Sequence, residues 1–248
     1  MKTGFRFFMM LALIGFVGRA VLAADEDLSA KADEAYAQKR YDEAAKDYQE
    51  LVRSGNWNAT IFYNLGNARY RLGDFGQAIL NYQRALALEP RHPEANANLL
   101  LARDEARALE LRKDWIERYA SFATVKQWSI AAAVAFWFAL FVIARLVLAR
   151  KRSAAGIAFV ALSLVVGAVS VFAIVTLENG SNGKALAIVT DKNVTARIAT
   201  ADSAQTVLAL PPGTEIKVES ERGDWIYAAL PNDLHGWIPA SAAERVRM

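Results

Sequence analysis

The stretch ATIFYNLGNARYRLGDFGQAILNYQRALALEP, residues 59–90, decides the fold of the first half of this chain. Apolar and small residues recur every three or four positions on both sides of Gly73-Asp74, which predicts two amphipathic helices joined by a tight turn. Shifting residues 25–58 by 34 positions lays them on residues 59–92. The aligned pairs are Tyr36 with Tyr70, Tyr41 with Phe75, Ala44 with Ala78, Tyr48 with Tyr82 and Gln49 with Gln83. The segment therefore contains a repeated helix pair.

The repeated unit resembles the tetratricopeptide repeat (TPR), whose period is 34 residues. Leu65-Gly66 matches the large–small pair of its first helix, and Pro90 ends the unit. We expect Gly66 and Ala78 where the two helices cross, because a larger side chain would push them apart. The resemblance implies an all-α domain. Its expected bounds are 24–122, with repeats at about 25–58 and 59–92 and a capping helix over 93–117.

TPR domains usually bind an extended peptide or a partner helix in the concave face lined by their first helices. Asn64, Asn67 and Arg71 are spaced so that they share one face of a helix. Asn98 occupies the repeat position of Asn64. Amides and a guanidinium can hold a partner's backbone or carboxylate, so these four residues are the candidate partner-binding site. The alternative is that Asn64 and Asn98 only solvate or cap local backbone.

Two apolar runs follow, at residues 127–149 and 154–177. Each has the roughly 20 residues that a spanning helix needs, which predicts a two-helix transmembrane hairpin; two helices of a soluble core are the alternative. The turn over residues 150–153 contains Arg150, Lys151 and Arg152, and Arg145 lies near the end of the first run. By the positive-inside rule this turn is cytoplasmic, so both flanking domains are expected outside the cytoplasm.

Residues 1–23 are predicted to be a secretory signal peptide, which agrees with that orientation. Lys2 and Arg6 precede an apolar run of 11 residues, from Phe7 to Val17, which is short for a bilayer span. Val21-Leu22-Ala23 provides small residues for cleavage, whereas Arg19 leaves an uncleaved anchor possible. The predicted location is the bacterial inner membrane, with both polar domains in the periplasm.

Residues 183–248 show short β-rich runs separated by turn residues, which predicts a small all-β domain. Gly223-Asp224-Trp225 and Gly236-Trp237-Ile238-Pro239 resemble the motifs of bacterial SH3-like barrels. Trp225, Tyr227 and Trp237 are a possible ligand patch. The alternative is that two of the three rings belong to the core, because so small a domain relies on its large aromatic residues.

Composition and spacing predict no enzyme. The chain has no cysteine, which excludes disulfides, thiolate metal sites and thiol nucleophiles. No catalytic residues, metal ligands or cofactor are predicted, because the two histidines lack partners at ligand spacing and no phosphate loop or serine-nucleophile motif is present. Residues 24–125 and 178–248 carry net charges of −3 and −2, so no basic face for nucleic acid is expected.

The order of these parts (signal peptide, TPR pair, transmembrane hairpin, SH3-like barrel) resembles the BatE family of the Bacteroides aerotolerance (Bat) operon. The resemblance implies a multidomain membrane protein that acts as a non-enzymatic adaptor in an envelope-stress complex. Its implied partners are von Willebrand A-domain membrane proteins and, indirectly, a MoxR-type AAA+ ATPase. The alternative function is an envelope sensor that binds peptidoglycan through the SH3-like domain.

Overall fold

The computed structural model describes residues 27–149, 153–181 and 183–247. The predicted signal peptide lies outside the described residues, as do Arg150, Lys151 and Arg152 of the predicted turn. The described chain consists of paired helices, then two long apolar helices, then an antiparallel sheet.

Five helices form the TPR part of the chain. The first packs on the second, the third on the fourth, and the fifth on the fourth. Their bounds are 27–37 for α1, Tyr41–Arg53 for α2, Ala59–Arg71 for α3, Phe75–Leu88 for α4 and Pro93–Ala106 for α5. Asn58 caps α3, because its side chain accepts a hydrogen bond of 2.9 Å from the Ile61 N–H.

Small residues let each helix pair approach closely. Ala44 and Ala78, at the same repeat position, are completely buried. A Cβ atom on Gly66 would lie 2.7 Å from the Tyr82 ring, so this crossing point requires glycine. The turn inside each repeat needs a left-handed residue: Gly73 provides it with φ +70°, and Lys39 takes φ +63° at the equivalent turn.

Helix α5 ends at Ala106, eleven residues before the predicted end of the capping helix at 117. Arg107 adopts the left-handed conformation and stops the helix. The following backbone then bonds to the sheet: Leu109 donates to the Thr214 hydroxyl (3.3 Å) and accepts from the Glu215 N–H (2.9 Å). Competition from the sheet for these backbone groups explains the short helix.

Among the residues that the structure describes, two helices are long and apolar enough to cross a membrane: α7 (Val125–Leu148) and α8 (Ala154–Asn179). Only 11% and 17% of their most apolar windows are buried, which disfavours the alternative of helices in a soluble core. They pack on each other through small residues: Ala135 and Ala139 of α7, and Ser163, Ser170 and Ala173 of α8. A short helix, α6 (Trp115–Ala120), precedes the hairpin and packs on α8.

Seven antiparallel strands form one sheet in the order β3-β2-β6-β5-β4-β1-β7. Their bounds are Leu186–Val189 for β1, Val194–Arg197 for β2, Thr206–Leu210 for β3, Glu215–Arg222 for β4, Trp225–Leu230 for β5, Leu234–Pro239 for β6 and Ala243–Arg245 for β7. The prediction of a closed barrel is wrong, because this sheet is open. Strand β7 lies against α4 and not against β3, so helix side chains cover the edge where closure would occur.

Strand β1 connects the sheet to the TPR helices through a shared core. Leu186 and Ile188 pack with Ile79 of α4 and with Leu99 of α5. Val246, directly after β7, belongs to the same core. The sheet thus covers the apolar side of α5, where a second helix would complete the third repeat.

Candidate functional site: the groove of the helical repeats

The first helices of the repeats form a groove with a cavity of about 270 Å³. Helix α3 supplies half of its lining, and α1, α4 and α5 supply the rest. The lining side chains are Tyr36, Tyr63, Asn67, Tyr70, Arg71, Tyr82, Asn98 and Leu101. The cavity therefore combines aromatic walls with two amides and one guanidinium.

A hydrogen-bond network repeated from one TPR unit to the next fixes the floor of the groove. The Asn67 Oδ1 atom accepts from the Tyr82 hydroxyl and from the Asn98 Nδ2, both at 2.8 Å. Asn98 Nδ2 also approaches the Tyr63 hydroxyl, at 3.4 Å. These bonds hold the two amides in one orientation.

The same pattern occurs one repeat earlier. Asp33 occupies the repeat position of Asn67, and it accepts a hydrogen bond from Tyr48 and one of 3.3 Å from Asn64. Asn64 is therefore bonded between repeats and does not line the cavity, unlike Asn67, Arg71 and Asn98. Asn64 and Asn98 play the same part in the repeat, which is to bond to the preceding helix pair.

Arg71 provides the charge of the groove. Its side chain is exposed at the end of α3, and a hydrogen bond with the Tyr36 hydroxyl raises the pKa of the guanidinium. No carboxylate lies among the described residues that line the cavity. The groove therefore presents one positive charge to a ligand, with tyrosine rings around it.

The sequence reasoning missed the tyrosines of the groove. Tyr36 and Tyr70 are equivalent in the 34-residue alignment, and both line the cavity. Their shared position in the two repeats could have indicated that both face the groove. Tyr63 has no aromatic counterpart in the first repeat, and its ring lies 4.9 Å from that of His92 in the next turn.

The opposite side of the TPR helices is occupied by the sheet. Glu215 of β4 is buried and forms a salt bridge with Arg103 of α5. Gln83 Nε2 donates to the same carboxylate at 2.9 Å, and the Leu111 N–H donates to it at 3.1 Å. Burial raises the pKa of Glu215, and the charge of Arg103 opposes that shift.

A second set of bonds joins α4 to β7. The buried Arg84 guanidinium donates to Glu244 at 3.2 Å and to the Arg245 carbonyl at 3.0 Å. Burial lowers the pKa of Arg84, while Glu244 opposes the shift. Gln77 Nε2 also donates to Glu244, at 2.7 Å. The sheet therefore occupies the side of the repeats opposite the groove.

The rings of the predicted SH3-like patch lie outside the sheet core. Burial alternates along β5, with Ile226 buried and with Trp225 and Tyr227 partly exposed on the other face. Tyr227 contacts Trp237 with ring centroids 5.1 Å apart and stacks on His235 at 5.9 Å. Aliphatic side chains fill the core on the opposite face of the sheet, and all three rings are partly buried.

No group of three metal-ligating side chains occurs within residues 27–149, 153–181 and 183–247. His92 pairs with Glu94 at 3.2 Å, and His235 lies 3.5 Å from Glu219. The two histidines belong to different domains, and neither belongs to the groove.

Two family models match the helical part of the chain. Residues 59–92 match the tetratricopeptide repeat model, and residues 32–73 match a TPR repeat model. No curated protein matches the chain at a significant level. TPR modules are typically protein-interaction modules without catalytic activity. Helices α1 to α5, which build the groove, thus include tetratricopeptide repeats.

Proposed function

We propose that this protein is a non-enzymatic membrane adaptor that binds a partner protein in the concave groove of its TPR helices. The proposal rests on the difference between the two sides of the TPR helices. One side is joined to the sheet by buried charges, and the other is a groove of fixed amides, tyrosine rings and Arg71. An extended peptide has backbone groups for the amides and side chains for the rings.

The partner's peptide is expected to carry a negative charge near Arg71. The guanidinium is exposed and can form paired hydrogen bonds with a carboxylate. Arg71→Glu should therefore abolish capture of the partner by repulsion, while leaving the folded state intact because the side chain is at the surface. Arg91→Glu makes the same charge change at an exposed turn outside the groove and serves as the matched control.

The resemblance to the BatE family supports von Willebrand A-domain membrane proteins as partners, acting with a MoxR-type ATPase in the periplasm. The test is cross-linking in membranes, followed by blotting for a tagged von Willebrand A-domain protein. We expect capture by wild type and by Arg91→Glu, and none by Arg71→Glu. Equal capture by all three would refute the groove as the binding surface.

Periplasmic orientation of both polar domains can be tested directly, because the chain has no cysteine. Arg91→Cys and Ala201→Cys lie in exposed turns of the two domains, and Ala149→Cys lies at the exposed end of α7. A membrane-impermeant maleimide should label the first two in intact spheroplasts and the third only after permeabilisation. Labelling of Ala149→Cys in intact spheroplasts would contradict the proposed orientation.

A second candidate function is binding of peptidoglycan by the sheet. The favouring observation is that Trp225, Tyr227 and Trp237 share the face of the sheet outside its core, which is the geometry that stacks on sugar rings. Full-length protein should then sediment with purified wall material, and Trp237→Ala should lose this property. Trp57→Ala, a partly exposed tryptophan of the TPR part, is the control.

A further inference from the structure

A larger cavity, of about 430 Å³, lies where the membrane hairpin meets the sheet. Phe172 of α8, Ile116 of α6 and Leu230 of β5 contribute to its apolar wall. Arg112, just before α6, and Lys217 of β4 contribute its positive charges. Asp114, Glu117 and Asp233 also line it, so the cavity combines an apolar wall with side-chain charges of both signs, at the point where a chain crossing a membrane leaves it.

The aromatic residues beside this cavity place it at the membrane surface. Trp115, Tyr119 and Phe122 are 63%, 77% and 92% exposed, and they directly precede α7. So large an exposed aromatic group is unfavourable in water, and aromatic side chains concentrate where a spanning helix meets the headgroups. The Trp128 indole N–H donates to the Ala120 carbonyl at 2.9 Å, which ties α6 to the start of α7.

The cations of this cavity are available to a ligand. Within the described part of the chain, neither Arg112 nor Lys217 forms a salt bridge. Two of the acidic side chains in the cavity wall are already engaged. Glu117 accepts from the Ser181 hydroxyl at 2.8 Å and from its N–H, and Asp114 accepts from the Trp115 N–H at 3.1 Å.

We propose that this cavity binds the headgroup of one glycerophospholipid, with Arg112 and Lys217 on its phosphate and Phe172 along its acyl chain. The inference rests on the proposed membrane insertion of α7 and α8. A phosphodiester suits two cations in a partly enclosed site. The remaining carboxylate, Asp233, lies in the cavity wall and suits the ammonium of an ethanolamine headgroup. The bound lipid would hold the joined TPR and sheet domains against the membrane surface.

Native mass spectrometry of the full chain, released from nanodiscs of phosphatidylethanolamine and phosphatidylglycerol, tests the proposal. Wild type should retain one phospholipid, whose mass identifies its headgroup. Arg112→Gln/Lys217→Gln should reduce retention at least about tenfold, because two charge-assisted bonds are lost. Lys192→Gln/Arg222→Gln removes the same charge at residues outside this cavity and should retain the lipid as wild type does. Equal retention by both double variants, or no retained lipid in wild type, would overturn the proposal.

A separate measurement tests membrane insertion of the hairpin independently of the lipid site. Bimane attached to Val166→Cys, in the middle of α8, should be quenched by lipids that carry a nitroxide on the acyl chain. Quenching together with equal lipid retention by both double variants refutes only the headgroup site. Absence of quenching refutes insertion of the hairpin, and the headgroup site fails with it.

Discussion

Replacing Arg103 should destabilise the protein much more than replacing Glu215, its buried partner. In Arg103→Met, Glu215 stays buried and loses its cation, keeping only the hydrogen bonds from Gln83 and the Leu111 N–H. Removing one partner of a buried pair costs about 3–5 kcal/mol, and these two bonds place the cost near 3 kcal/mol. For a chain of this size, that loss lowers the melting temperature by about 6–12 °C.

The opposite substitution removes the buried charge itself. In Glu215→Gln, Arg103 keeps an ion pair with Glu110 at 3.1 Å, and the amide can still accept from the Leu111 N–H. The free energy of unfolding should therefore stay within about 1 kcal/mol of wild type. Urea unfolding of the full chain in detergent, followed by tryptophan fluorescence, measures both values, with exposed Arg91→Met as control. Equal losses of unfolding free energy in the two variants would refute the reasoning that the cost of burying the Glu215 charge without its cation is the main effect.

The raised pKa of Glu215 predicts how the difference in stability between wild type and Glu215→Gln depends on pH. A carboxyl group whose pKa is higher in the folded than in the unfolded state binds protons more readily when folded. The stabilisation that this carboxyl group gives to the folded state is complete below the pKa of the unfolded state. It is lost as pH rises through the raised pKa of the folded state. The stability of wild type relative to Glu215→Gln should therefore fall as pH rises from the usual carboxyl pKa towards neutrality. A difference that does not change with pH would contradict the assigned shift.

Three further predictions concern the helical repeats and the sheet. Lys39→Gly should stabilise the protein by about 0.5–1 kcal/mol in urea unfolding, because glycine tolerates φ +63°; a loss would show that the lysine side chain matters more. Gly66→Ala should cost about 1–3 kcal/mol in the same measurement, because its Cβ would lie 2.7 Å from the buried Tyr82 ring; an unchanged midpoint would show that the ring can move. A fragment of residues 183–248 should not fold, because it exposes Leu186 and its apolar neighbours; a well-dispersed amide NMR spectrum would contradict this.

The sequence predicted those parts of the fold that depend on local periodicity. The 34-residue repeat located the helix pairs, and hydropathy located α7 and α8, because each pattern reports which side of a local element is buried. Strands β1 to β6 also follow from the β-rich runs at 185–190, 194–198, 206–210, 215–219, 225–229 and 236–238. Strand β7 did not, because three residues are too few to show alternation.

The features that depend on contacts between distant residues could not be predicted. Arg103 and Glu215 are 112 positions apart, and nothing local to either residue indicates a buried partner. The open sheet has the same origin, since strand β7 faces α4 instead of closing a barrel. For the groove, Asn67, Arg71 and Asn98 were among the predicted residues, but its tyrosines were not. The hydrogen bond that holds Asn64 away from the cavity depends on how the repeats stack.

The core shared by α4, α5 and β1 has a consequence for how the protein is made. Val246 packs in that core with Ile79, yet the two residues are separated in the chain by both apolar helices. During synthesis the TPR helices emerge first, and their apolar side stays uncovered until β1 and Val246 have followed. Completion of the TPR core thus awaits synthesis of both apolar helices and the sheet, so a chain that stalls before the sheet would expose Ile79 and its apolar neighbours to proteases.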